Sequence, residues 1–205
     1  MNNPSTFWDK RYADTVYTYG KKPNLYFQQQ LDKLPKPGRL LLLAEGEGRN
    51  AVYAAGKGWQ VTAVDFSEKG REKALALAAE KGVSFDYKIA NIREYDLIGN
   101  GPWDVIGLIY AHFPPELREA IHYKCTKSLK PGGHLILEAF NRKQIQRLSG
   151  GPKDLDMLYS KIILEDDFES LEILEATEST TFLTEGEGHA GLAEVVRFLV
   201  KRPNN

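Results

Sequence analysis

The chain has 205 residues, 42% of them hydrophobic and 27% charged, with a formal net charge of -1. That length fills one core, and the near-neutral balance gives no electrostatic case for nucleic acid or an anionic membrane as partner. A lone cysteine, Cys125, excludes an internal disulfide, apolar runs such as Leu40 to Ala44 are far too short for a membrane span, and the start Met1-Asn2-Asn3-Pro4-Ser5 does not read as a signal peptide, so a cytoplasmic protein is expected.

Residues 1–35 are rich in aromatics (Phe7, Trp8, Tyr12, Tyr17, Tyr19, Tyr26, Phe27) and predict one or two short helices joined by 17–23. Pro35-Lys36-Pro37-Gly38 is a turn, and the apolar run from Arg39 to Ala44 predicts a buried strand. A helix over Asn50–Lys57 stops at Gly58, and Gln60–Val64 alternates as a second strand. Ser67 is placed to cap a helix that runs through Lys81 and stops at Gly82. Val83–Ile89 and Trp103–Ile109 predict two more strands. Pro114-Pro115 opens a helix whose apolar stripe is Leu117, Ile121, Cys125 and Leu129. Lys130-Pro131-Gly132-Gly133 reads as a turn before a fifth strand, His134–Ala139, and 141–160 as irregular. Phe168–Leu183 and Leu192–Lys201 alternate as two long strands, with Gly186, Gly188 and Gly191 in their link.

Strands alternating with helices predict one α/β domain over 1–205, with 1–35 as a helical lid segment and 36–205 as a Rossmann-like core. The core is a doubly wound, mostly parallel seven-stranded sheet, with helices on both faces and an antiparallel C-terminal hairpin.

Chemistry concentrates where the first strand ends. Leu40-Leu41-Leu42-Leu43-Ala44-Glu45-Gly46-Glu47-Gly48-Arg49-Asn50 runs a strand into a glycine turn, and Asp65 ends the second strand. Glycines let backbone approach a ligand, and an acid at that place can accept hydrogen bonds from ribose hydroxyls. This spacing predicts an adenosine-containing cofactor. The turn also fits the nicotinamide fingerprint, with Ala51 in the third glycine's place. Glu45 and Glu47 weigh against a pyrophosphate, since like charges would meet unless both side chains point away. The sulfonium and ammonium of S-adenosylmethionine tolerate carboxylates. Histidines at 112, 122, 134 and 189 are scattered, so no metal is expected.

The chain resembles class I S-adenosylmethionine-dependent methyltransferases, and more narrowly the small tellurite-resistance (TehB-like) and thiopurine S-methyltransferase-like group. The matching pieces are Phe7 to Tyr12, Tyr19 to Asn24, Glu45 to Ala51, Val64 to Ser67, Leu129 to Gly133, Glu187 to Gly191 and Val195 to Arg197. The resemblance implies that Gly46 and Gly48 pass under the methionine part of the cofactor, with Glu45 and Asn50 beside them. It implies that Asp65 binds the ribose, that Phe66 lies on the adenine with Asn91 and Ile92 nearby, and that Tyr110 lines the methyl-donor pocket. Tyr19 and Asn24 would close the cofactor from the N-terminal side. The family's usual acid is replaced by Leu42 and its first glycine by Ala44.

Methyl transfer to a soft nucleophile depends on proximity more than on a base. The expectation is an enzyme that methylates a small molecule, a thiol or other chalcogen nucleophile, as a monomer or homodimer. Alternatives are a small N- or O-nucleophile, a nicotinamide-dependent oxidoreductase, or a non-enzymatic cofactor-binding protein. His189, Arg197 and Tyr110 are the candidate catalytic and acceptor-contact residues. His112 reads as a pocket wall, and Cys125, on an apolar stripe, as a structural thiol.

Overall fold

The computed structural model describes residues 4–204. Its strands are β1 (Arg39–Leu43), β2 (Gln60–Asp65), β3 (Asp86–Ile89), β4 (Trp103–Ile109), β5 (Leu129–Phe140), β6 (Glu172–Glu185) and β7 (His189–Lys201). Its helices are α1 (Pro4–Arg11), α2 (Leu25–Leu31), α3 (Arg49–Gly56), α4 (Glu68–Lys81), α5 (Pro115–Ser128) and α6 (Lys161–Asp167). All seven strands join one sheet in the order β3-β2-β1-β4-β5-β7-β6. Pairing is parallel from β3 to β5, and β7 runs antiparallel to both β5 and β6. No helix among the described residues is long and apolar enough to cross a membrane.

The leucine run of β1 is continuous because both its faces are covered. Leu41 and Leu43 pack with Ile106, Leu135, Ile121 and Phe168 on the α5 and α6 side. Leu40 and Leu42 pack with Phe27, Leu31, Ala51 and Ala74 on the side of α2, α3 and α4. Each such leucine contributes about 1.5–3 kcal/mol by leaving water.

Several boundaries differ from the sequence reading. Lys130-Pro131-Gly132-Gly133 lies inside β5, where a shift of register against Trp103 and Val105 absorbs it. Ser160 caps a seven-residue helix, α6, by accepting the Ile163 N–H. Phe168 is the buried end of that helix, so β6 starts later, at Glu172. β7 starts earlier, at His189. β6 is the outer edge of the sheet and is largely exposed, with Glu172 and Glu178 facing water.

Strand order reverses between β1 and β4, which opens a crevice at their carboxyl ends. The residues just beyond those ends are both left-handed: Ala44 at φ 54° and Tyr110 at φ 52°. A side chain there costs roughly 1–2 kcal/mol each, and such strain gathers at functional sites.

Candidate functional site

The glycine turn is gripped from three sides. Gly46 N–H donates to Asp65 Oδ2 at 3.0 Å, and Ser67 N–H donates to Asp65 Oδ1 at 2.9 Å. The Tyr87 hydroxyl donates to Gly46 O at 2.7 Å. Burial raises the Asp65 carboxyl above its ordinary range, against the backbone N–H groups it receives. A Cβ on Gly46 would lie 2.6 Å from the Tyr12 hydroxyl, and one on Gly48 would lie 2.5 Å from Ala74 Cβ. The first glycine makes room for the N-terminal segment and the second for α4.

Glu45 and Glu47 both turn inward. Glu45 Oε1 accepts the Asn50 and Ala51 N–H groups at 2.9 and 2.7 Å, capping α3 in place of a side chain on Gly48. Burial pushes its carboxyl up to about 7. Glu47 accepts from Thr18 N at 3.2 Å and Tyr19 N at 3.3 Å, and pairs with Lys73 at 2.5 Å. The like-charge argument against a pyrophosphate therefore loses its force, because neither carboxylate is presented to a ligand.

A cleft of about 630 Å³ lies beside the carboxyl ends of β2 and β3, lined by Phe66, Ile89, Ala90, Asn91, Glu94 and Tyr95. Asn91 is exposed there and donates to Glu94 Oε1 at 3.2 Å. The side chain of Ile92 sits in the core with Leu97 and Val64, away from the cleft, because its apolar surface gains more from burial than from a polar rim. A second depression of about 640 Å³, among Arg39, Gln60, Trp59 and Trp103, lies at the opposite, amino-terminal ends of β1, β2 and β4.

At the carboxyl ends of β4 and β5 lies a buried charge cluster. Glu138, 1% exposed, accepts from Arg197 Nε at 2.5 Å, Asn24 Nδ2 at 2.6 Å and the Tyr110 hydroxyl at 2.9 Å. Glu138 and Arg197 are direct partners across β5 and β7. The Arg197 guanidinium also lies over the Tyr26 ring at 5.3 Å. Asn24 donates a second bond, at 3.1 Å, to Glu185. Glu185 pairs with Arg49 at 3.0 Å and His189 at 3.3 Å. Burial pushes its carboxyl up, but His189 and Arg49 outweigh this and hold it at about 2.

The sequence reading put His189 in a link. As the first residue of β7 it is instead 5% exposed, against the rings of Tyr19, Tyr110 and Phe140 at 4.4, 4.3 and 5.1 Å. His112 is a brace: Nδ1 meets Met157 O at 2.6 Å and Nε2 accepts the Phe140 N–H at 3.2 Å. That pattern requires the neutral ring, and burial lowers its pKa to about 4. Cys125 is fully buried and its thiol is pushed up by that burial.

Residues 40–133 match the model of the methyltransferase domain family. That stretch is just under half of the chain, and over it the chain is similar to methyltransferase domains. A "Ubiquinone biosynthesis O-methyltransferase" of Caulobacter sp. (strain K31) is 35% identical over 108 residues, covering 51% of this chain and 41% of that protein. The chain thus spans less than half the length of the curated relatives it matches. TehB from Haemophilus influenzae shares the fold at TM-score 0.72 and 16% identity, over 97% of this chain and 66% of that one. So does the N-methyltransferase NodS of Bradyrhizobium japonicum, solved with S-adenosyl-L-homocysteine, at TM-score 0.70 and 14% identity, over 98% and 100%.

The residues of the domain fit such a cofactor at its adenosine end. The cleft has room for a nucleoside, Phe66 offers an apolar wall and Asn91 a carboxamide. Asp65 ends β2 at the edge of this region. Of the other residues expected around the cofactor, Asn50 accepts the Asn24 N–H at 2.9 Å and so ties α3 to the N-terminal segment. Tyr19 presents its ring to His189, and Tyr110 stands between the turn's side and the charge cluster.

Sequence reasoning passed over Glu138, Glu185 and Arg49. A signal existed for the first: Glu138 and Arg197 are lone, opposite charges inside two apolar runs, His-Leu-Ile-Leu-Glu-Ala-Phe and Val-Val-Arg-Phe-Leu-Val. A buried charge needs a partner, and neighbouring strands can supply it. Arg49 and Glu185 meet across 136 residues and left no local trace.

Proposed function

We propose that the protein transfers a methyl group from S-adenosylmethionine to a small molecule bearing a thiol or other chalcogen nucleophile. The cofactor supplies an electrophilic methyl on a sulfonium centre. Asp65, Phe66, Asn91 and the Gly46 turn would hold it, and Tyr110, His189 and Arg197 would face the acceptor.

One observation carries the choice of acceptor: both carboxylates at this end are already committed to partners. Glu138 is engaged by Arg197, and Glu185 is held at about 2. A nucleophile already anionic near neutral pH needs no base, so placing it is enough. An oxygen acceptor is the second reading, favoured by what the 35%-identical relative is called. In that reading His189, with Nδ1 toward Glu185, would take the proton at its other nitrogen.

Calorimetry with S-adenosylhomocysteine tests the first half. Binding that weakens sharply in Asp65→Ala is the expected result; no heat from the intact protein overturns it. Transfer of labelled methyl to a panel of thiols, selenite, tellurite, amines and phenols tests the second. Label on phenols alone would replace the chalcogen reading with the oxygen one.

A further inference from the structure

Arg49 is the first residue of α3, directly after Gly48, yet its guanidinium is committed away from the turn. It is 7% exposed. One nitrogen donates to Tyr19 O at 3.2 Å and another to Glu185 Oε2 at 3.0 Å. Both recipients touch His189. The Tyr19 ring lies 4.4 Å from the imidazole, and the same Glu185 Oε2 faces His189 Nδ1 at 3.3 Å.

We infer that Arg49 is a positioning residue for His189, fixing the ring's orientation and tautomer through two contacts at once, the shared Glu185 oxygen and the Tyr19 wall. This deepens the methyl-transfer reading, because it rests on His189 facing the acceptor. A carboxylate on Nδ1 keeps the proton there and leaves the second nitrogen as the acceptor. Arg49 brings a cation to the same carboxylate oxygen. The cation holds Glu185 ionised and opposes a charge on His189. The same residue begins the helix that follows the cofactor turn, so the two ends of the site share one rigid element.

The charged and titratable groups around His189 are Glu185 on β6, Arg49 on α3, Arg11 and Tyr19 on the N-terminal segment, and Tyr110 and His112 after β4. Burial lowers the His189 pKa most, Arg49 and Arg11 lower it further, and Glu185 raises it. Removing Arg49 and removing Glu185 must therefore act in opposite directions. A tip that merely loosened would expose the ring in both variants and move both upward.

Long-range ¹⁵N NMR of the full chain with labelled histidine reads tautomer and titration midpoint together. The intact protein is expected to show the Nδ1–H form at neutral pH. Arg49→Gln should raise the midpoint and mix the tautomers, and Glu185→Gln should lower the midpoint. Movement of both variants upward, or an unchanged His189 signal in Arg49→Gln, overturns the inference. Should Arg49→Gln not fold, Arg49→Lys decides the question, since it keeps the charge but not the two-nitrogen reach; an unchanged signal there also overturns it. Failure to bind S-adenosylhomocysteine would end the methyl-transfer reading while leaving this comparison intact.

Discussion

Asn24 Nδ2 donates to Glu138 Oε1 at 2.6 Å across 114 residues of chain. The same amide nitrogen reaches Glu185 at 3.1 Å, and the side-chain oxygen caps α2 by accepting the Phe27 N–H at 2.9 Å. One small polar side chain thus closes a helix and bridges a buried carboxylate to a half-buried one. Asn24→Ala is expected to destabilise the protein by about 2 kcal/mol, the sum of a lost cap and unsatisfied buried acceptors. Urea denaturation measures this. A loss below about 0.5 kcal/mol, the scale of an ordinary surface change, would mean that neither role matters.

Arg197 and Glu138 should behave as a unit. Arg197→Met leaves a carboxylate that is 1% exposed without its cation and is expected to cost about 3 kcal/mol or more. Adding Glu138→Gln removes the stranded charge and should recover part of that loss. The double-mutant cycle reads the coupling directly. Strict additivity of the two single changes would show that the pair is not energetically joined.

Glu45 sets a pH dependence whose sign follows from its burial. Its folded-state pKa is raised from 4.5 to about 7. Between those values the native protein binds a proton that the unfolded chain releases. Stability conferred by that proton is full below the unfolded value and is lost as pH rises through the folded one. Relative to Glu45→Gln, the natural protein should therefore lose up to about 3 kcal/mol between pH 4.5 and 7 and change little outside that window. Denaturation of both proteins at pH 5 and pH 8 checks it; parallel profiles would count against a neutral Glu45.

Gly48 and Gly82 both sit at positive φ, 82° and 66°, but only Gly48 faces a neighbour. A methyl group on Gly82 meets nothing within 4 Å. Gly82→Ala is expected to cost about 1 kcal/mol for its backbone alone. Gly48→Ala adds overpacking against Ala74 and should cost roughly 2–4 kcal/mol. Thermal denaturation of the two variants compares them; equal losses would show that α4 yields freely.

The elements most legible in the chain were those with local causes. The leucines of β1, the Ser67 cap, the Gly82 stop and Asp65 at the end of β2 each carry their reason within a few residues. β6 and β7 alternate because one side of each is wetter than the other. What stayed hidden depends on distant pairing. Whether Glu45 and Glu47 point toward a ligand stayed open in the sequence, because only the fold shows α3 and the Thr18–Tyr19 segment capturing them. Helix α6 is two turns long, too short for a periodic stripe. His189 alone in a glycine-rich stretch gives no hint of the three aromatic rings that enclose it.

The exposed strand β6 has a consequence for assembly. An outer strand of 14 residues offers unpaired backbone along its length, an invitation to add a further strand. Between Lys161 and Arg197 the chain has no lysine or arginine, and β6 carries Glu172, Glu175 and Glu178 besides the ion-paired Glu185. Two such edges brought together would set glutamate near glutamate with no cation on either strand to relieve them. Glutamates along β6 therefore disfavour the addition of a second such edge.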